Sequence, residues 1–235
     1  MILLIFVVLN EACELYNAGN KYYAEGNFQN AIECYEKALS LCQNKDIYYN
    51  LGNAYFKMGK IGKALIQYRR AYFLCPRDGD VNYNLSFLRN FRADRITSIP
   101  NPIAQILNSL FHYFSMAEAF VYSALSFLFF AIFLSLFIIG RNKLFIWIAF
   151  VGLLFFGYFF ITTQVWQGER NSNSGVIICG ECQAFSGPAE DYKEVLVIHD
   201  GTEVKIRDER NDYYLIQLPG GLGGWVKTEN VARVY

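Results

Sequence analysis

Charge is what the middle of this sequence lacks. Between residues 102 and 168 the 235-residue chain carries three charged side chains: Glu118, Arg141 and Lys143. A stretch that poor in charge excludes an ordinary solvated surface and points to a bilayer. The whole chain also lacks an excess of either sign, with 21 basic and 21 acidic residues. A nucleic-acid partner is therefore not expected, because a phosphate-binding surface needs clustered Lys and Arg. Six cysteines are too few for a disulfide framework in a chain of this length, and two histidines supply no metal-ligand set. No Gly-rich phosphate loop, metal-binding helix or nucleophile elbow is present. The expectation is a protein that is not an enzyme, with no catalytic residues, no metal and no cofactor.

What is there divides the chain by composition. The segment 1–101 is mildly basic and 169–235 is acidic, so the neutral total is a cancellation. Between them, Ala119–Ile139 and Leu144–Gln164 are uncharged, proline-free and rich in Phe, Leu and Ile. Twenty-one residues rise about 30 Å as a helix, the thickness of a hydrocarbon core. The reading is a two-helix transmembrane hairpin, 119–139 and 144–164. Arg141 and Lys143 in the short connection place loop 140–143 in the cytoplasm by the positive-inside bias. Both long flanks then lie outside the cytoplasm, at an inner (cytoplasmic) membrane. Residues 1–10, with the apolar run Ile2–Leu9, read as a signal-peptide-like segment that lacks the usual basic start. Prolines 100 and 102 break the chain after residues 96–99. Ile103, Ile106, Leu107, Leu110, Phe111 and Phe114 then recur at helical spacing, with Gln105, Asn108, Ser109 and His112 opposite. This is an amphipathic helix over 100–116, lying in the membrane interface.

The first flank repeats itself at 33–34 residues. Leu15, Gly19, Tyr22, Gly26, Phe28, Ala31, Tyr35 and Ala38 form one copy; Tyr48, Gly52, Tyr55, Gly59, Ile61, Ala64, Tyr68, Ala71 and Pro76 form the next. A partial third begins at Asp80 and carries Tyr83, Asn84 and Leu85. Small residues let antiparallel helices approach, aromatic residues fill the gaps, and Gly26 and Gly59 turn the chain. The pattern resembles the tetratricopeptide repeat (TPR) over 11–95. It departs from that family at Gln43, in the place of the terminal proline, and at Leu15, in the place of the opening aromatic. The resemblance implies a concave groove for a protein or peptide partner, lined by the first helix of each copy. On this sequence that face presents Tyr16, Asn17, Asn20, Tyr23, Tyr49, Asn50, Asn53, Phe56, Tyr83, Asn84 and Phe87. A clamp for a terminal carboxylate is not expected, since Tyr16, Asp80 and Asn84 stand where cations would be needed. The same residues can instead serve to stack one repeat on the next.

From residue 175 the pattern changes to short β-rich runs: 176–178, 195–198, 204–207, 213–218, 225–226 and 231–234. Asp200-Gly201, Asn211-Asp212 and Pro219-Gly220-Gly221 separate them as turns. Six such strands in about 60 residues fit a small closed barrel. Phe185-Ser186-Gly187-Pro188, Asp200-Gly201-Thr202, Tyr213-Tyr214 and Gly223-Gly224-Trp225-Val226 resemble the bacterial SH3-like (SH3b) domain over 175–235, with Trp225 expected in the core. That resemblance implies docking of protein or, in some relatives, of peptidoglycan peptides. Cys179-Gly180-Glu181-Cys182 reads either as a local disulfide between Cys179 and Cys182 or as two unrelated strand residues.

The predicted fold class is thus a multidomain membrane protein: an all-α TPR array, a transmembrane hairpin and a small all-β SH3-like barrel. That order resembles the BatE-like membrane proteins of bacterial aerotolerance operons. The resemblance implies a membrane-anchored scaffold whose partners include Bat proteins with von Willebrand A domains and a MoxR-type ATPase. It also implies a link to stress tolerance. A cell-wall sensor acting through the SH3b domain is the alternative.

Overall fold

The fold is described from a computed structural model, covering residues 2–91 and 101–235 and the side chains of 6–90 and 101–235. The predicted break at 96–100 lies outside the described residues.

Five helices build the repeat region: α1 Ile2–Ala24, α2 Phe28–Leu41, α3 Lys45–Lys57, α4 Ile61–Leu74 and α5 Gly79–Phe91. Each copy folds the same way because the same residues recur. A Cβ on Gly19 would lie 2.6 Å from Cε1 of Tyr35, and one on Gly52 would lie 2.6 Å from Cε1 of Tyr68. The glycines are therefore the sockets into which the tyrosines of the second helix pack. Ala31, Ala38, Ala64 and Ala71 are fully buried where the helices cross. Gly26 and Gly59 take φ of 77° and 72°. Each closes its helix with a paired bond: Gly26 N–H to Tyr23 O (3.1 Å) and Asn27 N–H to Tyr22 O (2.9 Å), then Gly59 N–H to Phe56 O (2.9 Å) and Lys60 N–H to Tyr55 O (3.0 Å). This is the Schellman stop, which needs a left-handed residue that glycine supplies without strain. Helix α1 is continuous from residue 2, so the apolar start and the first repeat helix are one helix, with Phe6, Val7 and Leu9 exposed.

The C-terminal region is a seven-stranded antiparallel sheet: β1 Ser174–Ile177, β2 Glu181–Phe185, β3 Glu194–His199, β4 Glu203–Arg210, β5 Tyr213–Gln217, β6 Gly223–Lys227 and β7 Val231–Arg233. Its order is β3-β2-β6-β5-β4-β1-β7. The sheet wraps Ile177, Cys182, Ala184, Ile198, Val204, Ile206, Ile216, Val226 and Val231. Asn211 and Asp212 both take positive φ (46° and 61°) in the two-residue β4–β5 turn, the geometry that matches strand twist. Two expectations change. A seventh strand, β2, occupies the Cys182 segment. Trp225 is only partly buried while Val226 is fully buried, because successive residues of β6 face opposite sides. Arg210 lies over the Trp225 ring, 5.9 Å from its centroid, on the outer face.

The repeats and the sheet form one compact unit despite the sequence between them. Val176 and Val234 are buried in the repeats' own hydrophobic cluster, with Ile178, Ala232 and Tyr235 packed against it. Helix α4 contacts β1 and β7.

Residues 101–171 form a second unit with three helices, α6 Pro102–Phe111, α7 Met116–Gly140 and α8 Lys143–Arg170. Helices α7 and α8 are long and apolar enough to cross a membrane. Ser115 and Glu118 cap α7 reciprocally, and Asn142 caps α8 at Leu144 N–H (3.0 Å). Their seam uses small residues: a Cβ on Gly152 would meet Phe129 Cδ1 at 2.9 Å, and Ala119, Ser123, Ala149 and Thr162 are buried. That is the packing expected where lipid gives helices no hydrophobic reason to associate. Thr162, Thr163 and Ser135 return their hydroxyls to backbone carbonyls four residues back, so none is left unbonded in an apolar setting. In α6 no residue is buried, and Ile103 and Ile106 are two-thirds exposed, leaving its apolar face open. His112 does not share that exposure. It sits 6 % exposed against Trp166, with Nδ1 2.8 Å from Asn108 O and Nε2 3.0 Å from Glu169.

Candidate functional site: the repeat groove

Helices α1, α3 and α5 carry the predicted groove residues, and the structure brings most of them into one hydrogen-bonded ladder. Tyr35 donates to Asn20 Oδ1 (2.7 Å), and Asn50 Nδ2 donates to the same oxygen (2.9 Å) and to Tyr16 Oη (3.1 Å). The next rung repeats it. Tyr68 donates to Asn53 Oδ1 (2.6 Å), and Asn84 Nδ2 donates to Asn53 Oδ1 (3.3 Å) and Tyr49 Oη (3.2 Å). Both amide groups at Asn50 and Asn84 thus tie one repeat to the next. Burial pushes the Tyr35 and Tyr68 phenols above their ordinary range, with neighbouring tyrosines adding to it. They remain protonated donors, as their bonds to amide oxygens require.

The ladder ends at the third copy, where Phe87 stands in the place of Asn53. There a cleft of about 240 Å³ opens, lined by Tyr23, Asn53, Phe56, Lys57, Tyr68, Tyr83, Asn84, Phe87 and Leu88. Phe56 meets Phe87 edge to face at 5.9 Å, and Phe87 stacks with Tyr83 at 6.5 Å. Tyr83 is 68 % exposed. The cleft can hold an apolar side chain against aromatic faces, beside amide edges and one ammonium. Tyr16, Asn20, Tyr49 and Asn50 lie along the ladder, and Asn17 points to solvent. In the sequence the ladder's Tyr35 and Tyr68 read as gap fillers only. Their equal 15-residue separation from Asn20 and Asn53 was the available signal. Lys57 and Leu88 were not anticipated.

A second cavity, about 580 Å³, lies on the barrel beside β2 and the 227–230 segment, lined by Glu181, Cys182, Gln183, Phe185, Glu190, Lys227, Glu229 and Asn230. Lys227 pairs with Glu190 at 2.5 Å, which lowers the carboxyl's proton affinity and raises the amine's. The Cys179 and Cys182 side chains lie within hydrogen-bonding reach of each other. Burial pushes the Cys179 thiol up, against that bond. Among the described residues no group of His, Cys, Asp and Glu is arranged to hold a metal. Arg141, in a left-handed conformation (φ 52°), and Lys143 flank the α7–α8 turn.

Residues 19–59 match the TPR repeat family and 46–78 the tetratricopeptide repeat. Residues 185–232 match the bacterial SH3 domain. The chain therefore carries TPR repeats, two long apolar helices and a bacterial SH3 domain. No curated protein matches it. Among solved structures it is similar to the first TPR of Spaghetti (RPAP3) bound to the HSP90 peptide SRMEEVD. That likeness has 22 % identity over 36 % of this chain and 95 % of the other, with a TM-score of 0.25. The first TPR domain of human RPAP3 is similar at 21 % identity over 35 % and 92 %, again with a TM-score of 0.25.

Proposed function

We propose that this chain is a membrane-anchored scaffold whose TPR groove holds an extended segment of a partner protein outside the cytoplasm. The observation that carries it is the aromatic cleft at Tyr23, Phe56, Tyr83 and Phe87, open where the asparagine ladder stops. Rigid aromatic side chains give contact area at small entropic cost. The ladder itself holds the repeats in register, so the contact residues of choice are those at its open end. Helices α7 and α8 anchor the protein in an inner membrane as a two-pass hairpin, with Arg141 and Lys143 favouring a cytoplasmic turn.

The order of parts supports a BatE-like identity, within an envelope complex linked to stress or aerotolerance. Its partners would be von Willebrand A-domain Bat proteins, with a MoxR-type ATPase on the cytoplasmic side. The test is capture of a purified von Willebrand A domain of such a protein by the full-length chain in detergent. Tyr83→Ala combined with Phe87→Ala should weaken capture at least tenfold, and undiminished capture by that variant would remove the groove assignment.

The barrel cavity favours a second reading, peptidoglycan binding. Its acidic rim at Glu181, Glu190 and Glu229 suits an amine-bearing wall peptide. Retention of the full-length protein on purified peptidoglycan, lost in Glu181→Gln with Glu229→Gln, would establish it; absence of retention would dispose of it.

A further inference from the structure

Helix α4 begins without a cap of its own. In the first copy Asn27 accepts from Asn30 N–H, whereas the equivalent Lys60 makes no side-chain cap. The missing acceptor comes from the barrel: Asp200 Oδ1 accepts from Gly62 N–H at 2.9 Å, across 138 residues of sequence. Position 62 must be glycine for this approach, since a Cβ there would lie 2.1 Å from Ile177 O. The same helix face binds the barrel in two further ways. Arg70 Nε donates to Val234 O (2.8 Å), and Phe73 packs on Tyr235 at 5.3 Å. Beside them Glu203 takes Arg69 at 3.4 Å and Arg89 at 3.1 Å.

The first copy has none of this chemistry. Gln29, Glu33, Glu36, Lys37 and Ser40 are all exposed on α2; their counterparts Gly62, Ile66, Arg69, Arg70 and Phe73 are all buried or half-buried. Two copies that share alanine, tyrosine and alanine at their closest inner contacts therefore differ at the outer positions covered in one of them. The covered barrel elements, β1 and β7, include an edge of the sheet, which would otherwise offer unpaired backbone to other chains.

We infer that the outer face of α4 is a dedicated docking surface for the β1–β7 edge of the barrel. The parts before and after the hairpin then work as one body on one side of the membrane. The groove opens on α1, α3 and α5, and the barrel cavity is lined from β2, Glu190, Lys227 at the end of β6 and the Glu229-Asn230 turn that leads into β7. A partner held in the groove and a ligand held by the barrel would thus be kept at a fixed separation. The docking stands on its own contacts; the shared side rests on reading α7 and α8 as membrane-crossing.

The test uses the full-length protein in native membranes. With the six native cysteines replaced by serine, Phe73→Cys and Tyr235→Cys should join within one chain through a short bis-thiol reagent. Adding Ile66→Glu should lower the yield at least tenfold. No joining, or joining only between two chains, overturns docking within the chain. A second measurement keeps the native cysteines: hydrogen exchange at residues 61–64 should rise at least tenfold in Asp200→Ala while residues 28–31 stay unchanged. Equal exchange in variant and wild type overturns the cap. Impermeant thiol labelling of Tyr83→Cys and of Leu222→Cys, 70 % exposed on the barrel, in the cysteine-replaced protein should come from one membrane face. Labelling from opposite faces overturns the shared body, whereas release of the protein by carbonate removes the membrane reading and leaves the docking standing.

Discussion

Helices α2 and α4 are one element built twice, and they part company most sharply on one side. Inward they are interchangeable: Ala31 and Ala64, Tyr35 and Tyr68, and Ala38 and Ala71 are all almost completely buried against the same partners one repeat apart. Outward, α2 faces solvent with Gln, Glu and Lys, and α4 faces a β-sheet with Gly, Ile, Arg and Phe. The difference teaches that a repeat's inner surface is fixed by the need to stack, because each copy must fit its neighbour. The outer surface is free to be specified separately, and here one copy of it has been made into an interface. Exchanging residues between the two copies should break that division, and the variants rank by how much they disturb it.

The largest effect is expected from Ile66→Glu, which installs the first copy's residue. Ile66 is 4 % exposed in the cluster that contains Val176 and Val234. An unpaired carboxylate there should cost about 4 kcal/mol. The reverse change, Glu33→Ile, alters an exposed position and should stay within about 0.5 kcal/mol. Denaturant unfolding of the purified chain in detergent compares the two, and equal costs would erase the claimed asymmetry. Next comes Gly62→Gln, whose Cβ has no room beside Ile177 O. A cost of about 3 kcal/mol is expected for overpacking that neither backbone can relieve. Gln29→Gly should cost about 1 kcal/mol through helix propensity alone.

This interface was only half legible in the sequence. The inner positions were plain, since alanine, glycine and tyrosine recur at 33 residues. The outer signal was also present: Gly62, Ile66 and Phe73 put unusual residues on a face that is polar in the first copy. What the sequence could not disclose was the occupant, because Asp200 and Val234 lie beyond the hairpin and no local pattern links them to α4. The barrel shows a related limit. Strand β2 alternates in and out correctly, but its inward residues are Cys182 and Ala184, too small to register as a hydrophobic period. The size of Trp225 suggests a core residue, whereas strand parity turns it to the outer face beneath Arg210. In the groove the sequence leaves two uses open for the amides, meeting a peptide or stacking the repeats; Asn50 and Asn84 bond to the preceding repeat, and Asn53 and Asn84 also line the cleft.

A smaller effect tests the cap. Asp200→Ala should cost about 1–2 kcal/mol, the loss of a hydrogen-bonded acceptor at a half-buried helix start. Asp200→Asn keeps the acceptor and should be close to neutral. The carboxyl's proton affinity is raised, chiefly by burial, against the opposing bonds from Gly62, Ile61 and Gly201. A carboxyl raised in the folded state favours folding most when protonated. Its contribution is therefore complete below the ordinary aspartate range and is lost as pH rises through the folded value. Asp78 acts oppositely, held down first by Lys45 at 2.7 Å, so its contribution is present above the ordinary range and lost as pH falls. Stability measured against pH in Asp200→Asn should lose the acid-favoured component and keep the Asp78 one. An unchanged profile would mean that Asp200 does not titrate across the interface.

The smallest effects separate the two rungs of the ladder. Asn50 and Asn84 make equivalent bonds, but those of Asn50 are shorter (2.9 and 3.1 Å against 3.3 and 3.2 Å), and Asn50 joins two complete copies. Truncating either to alanine removes two amide bonds and leaves a tyrosine hydroxyl to find water, about 1 kcal/mol for Asn50 and less for Asn84. Their effects on binding should run the other way. Asn84 lines the aromatic cleft and Asn50 does not. Asn84→Ala should therefore weaken partner capture more than stability, and Asn50→Ala stability more than capture. If both variants lose capture only in proportion to stability, the asparagines are stacking residues throughout, and recognition belongs to Tyr23, Phe56, Tyr83 and Phe87 alone.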